Sequence, residues 1–220
     1  MSTVLTCESC GGPLAYGAPS CAYCRAPQTW ERLVSIERGS PFLSIDLARE
    51  PMTHPPKSAS RQADGLLITT SVADWTSWHR FGPKLRNGCV AVTGKSLDPT
   101  GVFGLYARMH AEGEALAAYE LMIYPRYRAW RLRRELWWPS KAYASVIVDW
   151  ERAPAILGVG HDNEVELRFA DSVFQIVCNG HRVSTLVDAS FGFGMVGWIG
   201  GSVGGPARTL LRTASAWQAR

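Results

Sequence analysis

Long apolar runs are missing from this chain of 220 residues. No segment approaches the ~20 consecutive apolar residues that a helix needs to cross a bilayer, so no membrane role is expected. The opening stretch MSTVLTCESC has neither a basic start nor an apolar middle. It does not read as a secretory signal, and the expected location is cytoplasmic. Sustained helical periodicity is also scarce. Past residue 64 no helical pattern of roughly 10–15 residues separates the apolar segments, which argues against alternating βα units. Catalytic signatures are equally thin. There is no Gly-x-Ser-x-Gly elbow and no His-x-His or His-x-x-x-His pair among the five histidines. GGSVGG (200–205) lacks the Lys-Ser/Thr and the following helix of a phosphate cradle. In GVGHDNE (158–164), Asp162 and Asn163 supply too few oxygens for calcium. Excess charge is small too: the net charge is +4. Nucleic acid requires a clustered basic stripe and is not an expected partner.

What is present is enough for one large domain and a small one, with 46% hydrophobic and 19% charged residues. Nine tryptophans suit a β-rich protein with binding surfaces. The six cysteines are unevenly spread, with Cys7, Cys10, Cys21 and Cys24 falling in CESCGGPLAYGAPSCAYC. Two Cys-x-x-Cys turns can present four thiolates to one tetrahedral Zn²⁺, and in a reducing compartment that reading is preferred to disulfides or a redox pair. With all four ligands from protein, no position stays open for a substrate water, so one structural zinc is expected and a catalytic one is not. Gly11 follows the first turn and can take positive φ. Arg25 follows the second and is expected to strain it. Cys89 and Cys178 read as small buried apolar residues. CESCGGPL (7–14) and CAYCRAPQ (21–28) resemble the short zinc ribbons of many bacterial proteins.

From residue 65 the pattern is one of short strands: 65–72, 87–94, 101–110, 118–125, 126–135, 144–150, a strand that opens at Asn163 and carries Val165, Leu167 and Phe169, then 174–178, 181–187, 194–201 and 207–219. In the clearest, Val165, Leu167 and Phe169 alternate with Glu164, Glu166 and Arg168. Asn179-Gly180 between two strands predicts a two-residue type I′ turn, in which Gly180→Val is costly and Asn179→Gly mild. Residues 48–65, rich in Pro and Ser, read as a loop. The expected architecture is all-β: a zinc ribbon over 1–28, a linker over 29–40 and a jelly-roll β-sandwich over 41–220.

The segment NEVELRFADSVFQIVCNGHRVSTLVDASFGFGMVGWIGG (163–201) resembles concanavalin A-like lectin/glucanase jelly rolls. It is most similar to the bacterial laminin-G-like and 3-keto-disaccharide hydrolase-type branch. The matching features are Asn163, Asn179-Gly180, Asp188 and GMVGW (194–198), with GVFGLYAR (101–108) and AYELMIY (118–124) as middle strands. The resemblance implies sugar binding, glycan hydrolysis or protein recognition. It also implies, for the hydrolases, Glu-x-Asp-x-Glu on one strand, which is absent here. Glu164 and Glu166 share a face, as could Asp149 and Glu151 around a Trp150 that points into the core. Both pairs read as solvated faces and not as an acid/base pair.

The densest candidate surface is YPRYRAWRLRRELWW (124–138). On a continuous strand Arg126, Arg128 and Trp130 share one face and Tyr127, Arg131 and Arg133 the other. Guanidinium groups and rings together stack on sugars or partner side chains. An ordinary solvated edge strand is the alternative. Trp75 and Trp78 read as core residues. The expected role is a non-enzymatic, zinc-stabilised recognition protein that uses Arg126, Arg128 and Trp130. A protein partner is favoured and a glycan is the alternative. A carbohydrate-active enzyme with carboxylates on the sandwich is the rival reading.

Overall fold

The computed structural model describes residues 7, 9–13, 20–26, 41–49, 58–74, 76–138 and 141–218. The expected linker, 29–40, lies outside them, as does Trp75. The strands are β1 (Leu43–Asp46), β2 (Ala59–Gln62), β3 (Gly65–Thr70), β4 (Thr76–Leu85), β5 (Gly88–Ser96), β6 (Gly101–Glu112) and β7 (Ala115–Tyr124). After a 3₁₀ turn at Pro125–Tyr127 come β8 (Ala129–Trp138), β9 (Lys141–Arg152), β10 (Asn163–Ala170), β11 (Val173–Cys178), β12 (His181–Val187), β13 (Gly194–Ser202) and β14 (Ala207–Gln218). They form two antiparallel sheets. One runs β12-β11-β10-β5-β14-β3-β2 with β1 also on β14, and the other β4-β13-β6-β7-β8-β9. The chain crosses repeatedly between them, giving the jelly-roll sandwich that the alternation of short strands predicts.

The alternation decides which side chains enter the core. Phe103, Leu105 and Ala107 of β6, Ala117, Tyr119, Leu121 and Ile123 of β7, and Trp130 and Leu132 of β8 face inward from the six-stranded sheet. Val90 and Val92 of β5, Val165, Leu167 and Phe169 of β10, and Phe174 and Ile176 of β11 meet them from the other. Truncating a fully buried aromatic such as Phe103 or Trp198 to alanine removes about 3–5 kcal/mol. Cys89 and Cys178 are buried as expected, and burial pushes the Cys178 thiol up to about 12.

Four elements depart from the sequence reading, the first being β1, which no expected strand covered and which pairs with β14. β2 forms inside the stretch read as a loop, because Ala59–Gln62 adds to the edge of β3 by backbone pairing with little help from side chains. β4 was not expected, since it holds Pro83. It lies at the edge of its sheet, where a missing N–H is tolerated. The strand expected from residue 126 starts only at Ala129, because Pro125 opens a 3₁₀ turn that ends on Arg128 in the left-handed region.

The Asn179-Gly180 turn is as expected, joining Cys178 to His181 with φ of 50° and 78°. Asn179 does more than turn the chain. Its Oδ1 accepts from the Glu164 N–H at 2.8 Å, and its Nδ2 donates to the Ala155 carbonyl at 2.8 Å and to Asn163 Oδ1 at 2.9 Å. Asn163 in turn accepts from the Leu157 N–H at 2.7 Å, so the pair pins residues 155–161 to the hairpin. Gly180→Val places a β-branched residue at φ +78° with nothing within 4 Å of the new Cβ. The expected loss on denaturant titration, about 2 kcal/mol, is therefore backbone strain alone. Asn179→Gly, mild on the sequence reading, is expected to lose about 1–3 kcal/mol through its orphaned partners. A wild-type midpoint in either variant would contradict this turn.

Candidate functional site

The four N-terminal cysteines come together, their sulfurs all within 4.8 Å of one another. Cys7 Sγ lies 3.6 Å from Cys24 Sγ, and Cys10 Sγ 3.7 Å from Cys21 Sγ. Sulfurs about 2.3 Å from a tetrahedral metal stand roughly 3.8 Å apart, so the set fits one ion. The two turns match. The Gly11 N–H donates to the Cys7 carbonyl at 2.7 Å and the Arg25 N–H to the Cys21 carbonyl at 2.9 Å. Gly11 has φ 70° and Arg25 φ 58°, so Arg25 does carry the strain while its turn keeps the same hydrogen bond. The geometry can hold a metal ion.

Arg126, Arg128 and Trp130 do not form one surface. Trp130 is 0% exposed in the core, facing in with Leu132. Arg126 lies in the 3₁₀ turn and Arg128 ends it, both exposed. The apolar pair Trp130-x-Leu132 carried the correct register. Continuing the strand back through Pro125 put Arg126 and Arg128 on the face of Trp130.

A network of ionisable side chains lies on the opposite face. Tyr106 of β6 is opposite Glu120 of β7, and Glu120 opposite Arg133 of β8. The Tyr106 hydroxyl donates to Glu120 Oε2 at 3.0 Å. Arg133 Nε donates to Glu120 Oε1 at 2.9 Å, and Arg131 Nη2 reaches the same oxygen at 3.4 Å. Arg133 Nη2 stands 2.7 Å from both Glu120 Oε1 and Glu135 Oε1, which places those two oxygens within twice that distance. The carboxylates are nearly sealed, with side-chain exposures of 2% and 5%.

Rings cover this row. Trp78 and Trp137 stack with centroids 6.1 Å apart, and Tyr106 meets Trp137 edge-on at 5.1 Å. Trp78 is on β4 and Trp137 on β8, four strand positions away. That is about 19 Å on a flat sheet. Rings that meet across that span require a curled, concave face. On its other side the Arg131 guanidinium lies 4.6 Å over the Trp150 ring. Trp150 packs at 5.5 Å on Tyr124, Tyr124 at 5.0 Å on Tyr127, and Arg126 lies 5.2 Å over Tyr127. Arg126 thus reaches the rim of this face. Trp78 and Trp150, both read as core residues, lie on it instead, partly exposed. The signal that could have found the site is the lone acid in AYELMIY, opposite an Arg-x-Arg-x-Glu strand.

Glu164 and Glu166 are not such a pair. Glu166 is buried on the outer face of the eight-stranded sheet, where the Cys89 thiol donates to it at 3.1 Å and Arg168 pairs with it. Asp149 is exposed and accepts from the Trp150 N–H at 2.8 Å.

Two antiparallel sheets with one curled face define a jelly-roll sandwich. No family model and no curated protein matches the chain. Solved structures do. The carbohydrate-binding module CBM66 from Bacillus subtilis is 10% identical with a TM-score of 0.55, over 73% of this chain and 91% of that one. A Bacillus subtilis protein of unknown function with a galectin-like fold is 11% identical with a TM-score of 0.53, over 82% and 97%. A Bacteroides ovatus mixed linkage glucan GH16 protein in complex with its product is 7% identical with a TM-score of 0.53, over 79% and 99%. At these identities the likeness is one of fold.

Glu135 gives the face a pH dependence. Burial first, then the neighbouring Glu120, raise its carboxyl from 4.5 to about 7, against the opposing pull of Arg133. Folding therefore favours the protonated form. That contribution is fully present below about 4.5 and is lost as pH rises through about 7. Denaturant titrations are expected to show Glu135→Gln gaining on wild type across that window. A difference independent of pH would mean that Glu135 does not titrate in this surrounding.

Proposed function

We propose that this chain is a non-enzymatic recognition module that binds a glycan on the concave face of its six-stranded sheet. The observation that carries this reading is the alternation on that face of partly exposed rings, Trp78, Trp137 and Trp150, with the hydrogen-bonding groups Arg131 and Arg133. One side of a sugar ring is a patch of C–H groups that stacks on indole, and its rim of hydroxyls takes hydrogen bonds from planar, fixed donors. Among proteins of similar fold are a carbohydrate-binding module and a GH16 protein, which supports a glycan over the protein partner favoured from sequence. Nucleic acid fits less well, because Arg133, Arg168, Arg208 and Arg212 are all engaged with carboxylates.

The rival reading is a retaining glycosidase. Its support is the Glu120–Glu135 pair, since such enzymes hold two carboxyls about 5–5.5 Å apart with the acid's pKa raised. Binding is preferred because both carboxyls are sealed and share one guanidinium, leaving no approach for a scissile bond. We further propose one structural zinc on Cys7, Cys10, Cys21 and Cys24, and a reducing, cytoplasmic setting that keeps these thiols available.

A glycan array followed by calorimetric titration tests the main reading. Trp137→Ala, shown folded by circular dichroism, is expected to bind at least about tenfold more weakly. Intact oligosaccharide should be recovered after prolonged incubation. New reducing ends that vanish in both Glu120→Gln and Glu135→Gln would replace binding with hydrolysis. An array that retains nothing would defeat both.

For the metal, native mass spectrometry is expected to find one zinc per chain, absent from Cys10→Ser. Metal-free wild type in reduced, chelator-free buffer would overturn that assignment.

A further inference from the structure

A second site lies away from the concave face. Its origin is an irregularity in β6, where pairing with β7 shifts register between Ala107 and His110. Arg108, inside the shift, has φ 55°. Strict alternation would send Arg108 outward with Tyr106. The bulge turns it inward, and bulges commonly re-aim a side chain in this way. The guanidinium lies 5.2 Å over the Phe169 ring and 5.0 Å over Phe174, both core residues of the opposite sheet. Gly194 makes the bulge fit, since a Cβ there would collide with the Arg108 backbone.

The result is a cation in a place hostile to it. Arg108 is 0% exposed. Its Nη1 donates to the Phe191 carbonyl at 2.7 Å and its Nη2 to the Arg86 carbonyl at 2.9 Å, while Nε has no partner. Among the described residues no carboxylate is in ion-pair contact with it. A buried charge compensated in contact only by two carbonyls and two ring faces, with Asp171 and Asp188 acting at longer range, is a destabilising arrangement unless something else uses it.

Arg108 stands at the wall of a cavity of about 680 Å³ while remaining sealed from solvent, so it acts on the cavity through its field and not by contact. Lys84, Arg86 and Asp171 also line it, so its formal charge is three positive less one negative, or +2. Asp171 is 3.6 Å from Arg86, an exposed pair that water screens. The rest of the wall includes Phe191 and Phe193, with the Lys84 ammonium 5.6 Å over the exposed Phe193 ring. Apolar walls with a few convergent charges are the form of a small-molecule site.

We propose that this cavity binds a small organic anion. Its carboxylate or phosphate group would be drawn by the field of Arg108, Lys84 and Arg86, and its apolar body would lie against Phe191 and Phe193. The site is independent of the glycan reading and shares no residue with it.

Phenyl phosphate, phenylacetate, inorganic phosphate and benzyl alcohol are suitable probes, followed by amide chemical shifts of the full chain. Phenyl phosphate, phenylacetate or both are expected to give saturable shifts centred on residues 191–194, weakened by added salt. The arm that binds more tightly names the head group. Lys84→Gln/Arg86→Gln, on the exposed rim and without effect on the core, is expected to weaken binding by at least about tenfold. Arg108→Met is expected to abolish it, and the rim variant decides the matter should Arg108→Met not fold. Absence of saturable shifts with either aryl anion, equal binding of benzyl alcohol, or unchanged affinity in the rim variant would overturn the proposal. Inorganic phosphate binding as tightly as phenyl phosphate would overturn the role of the apolar wall.

Discussion

Strands β6 and β7 are buried on both faces, and most of the structure follows from how their outer face is satisfied. On the inner side Phe103, Leu105, Tyr119 and Leu121 meet the other sheet. On the outer side Tyr106, Glu120 and Met122 are almost as dry. A carboxylate there lacks water, so the neighbouring strands must supply its donors, and they do so through Tyr106, Arg131 and Arg133. Such a network adds little net stability when complete, yet removing one partner typically costs about 3–5 kcal/mol. Its value is in register. A slip of one residue between β7 and its neighbours would move Glu120 into the core and Leu121 to the surface, which neither face could accommodate. With register fixed, Trp78 and Trp137 close over the charges from opposite sides, each ring contact adding about 0.5–1.5 kcal/mol.

Further along β6 the same problem has the opposite solution. Arg108 follows Ala107 by one residue and could have joined the outer network. The bulge instead sends it between the sheets, against aromatic faces and carbonyls, with no acid in contact. Two arginine environments therefore lie on one sheet. Arg133 is neutralised by its neighbours and serves as a fixed donor. Arg108 has no carboxylate in contact among the described residues, and burial lowers its pKa from the ordinary arginine value although Asp171 and Asp188 act against that from a distance.

Most of the sandwich was legible in the sequence because strand alternation is a local signal. The alternating residues of β10 and the Asn179-Gly180 turn needed no tertiary knowledge. What escaped was decided by partners far along the chain. β2 is a strand because β3 offers it an edge, and its own residues ASRQ give no pattern. Trp78 and Trp150 look like core residues to any reading of hydrophobicity. Only the curl of the sheet shows that they pack on the outer face. The misplacement of Trp130 had a local cause. Arg128 in the left-handed region resets the chain at Ala129, so alternation counted through Pro125 assigns the wrong side. The Asn179 side chain was read as a turn former alone, because its bonds to Asn163 and Ala155 join residues brought close by the fold.

The cysteine cluster was legible for a different reason, since its geometry is set by four sulfurs and not by a core. Arg25 shows where the control lies. A residue with a Cβ in the left-handed region is disfavoured by roughly 1–2 kcal/mol, and the equivalent place in the other turn is filled by Gly11. Local preference would therefore open the second turn. A structural zinc supplies on the order of 10–16 kcal/mol to a small site of this kind, far more than the strain at one arginine. On the proposed zinc assignment, four metal–sulfur bonds would outweigh that strain and hold the Arg25 N–H at the Cys21 carbonyl. The spacing of the four cysteines was therefore enough to foresee that their sulfurs meet.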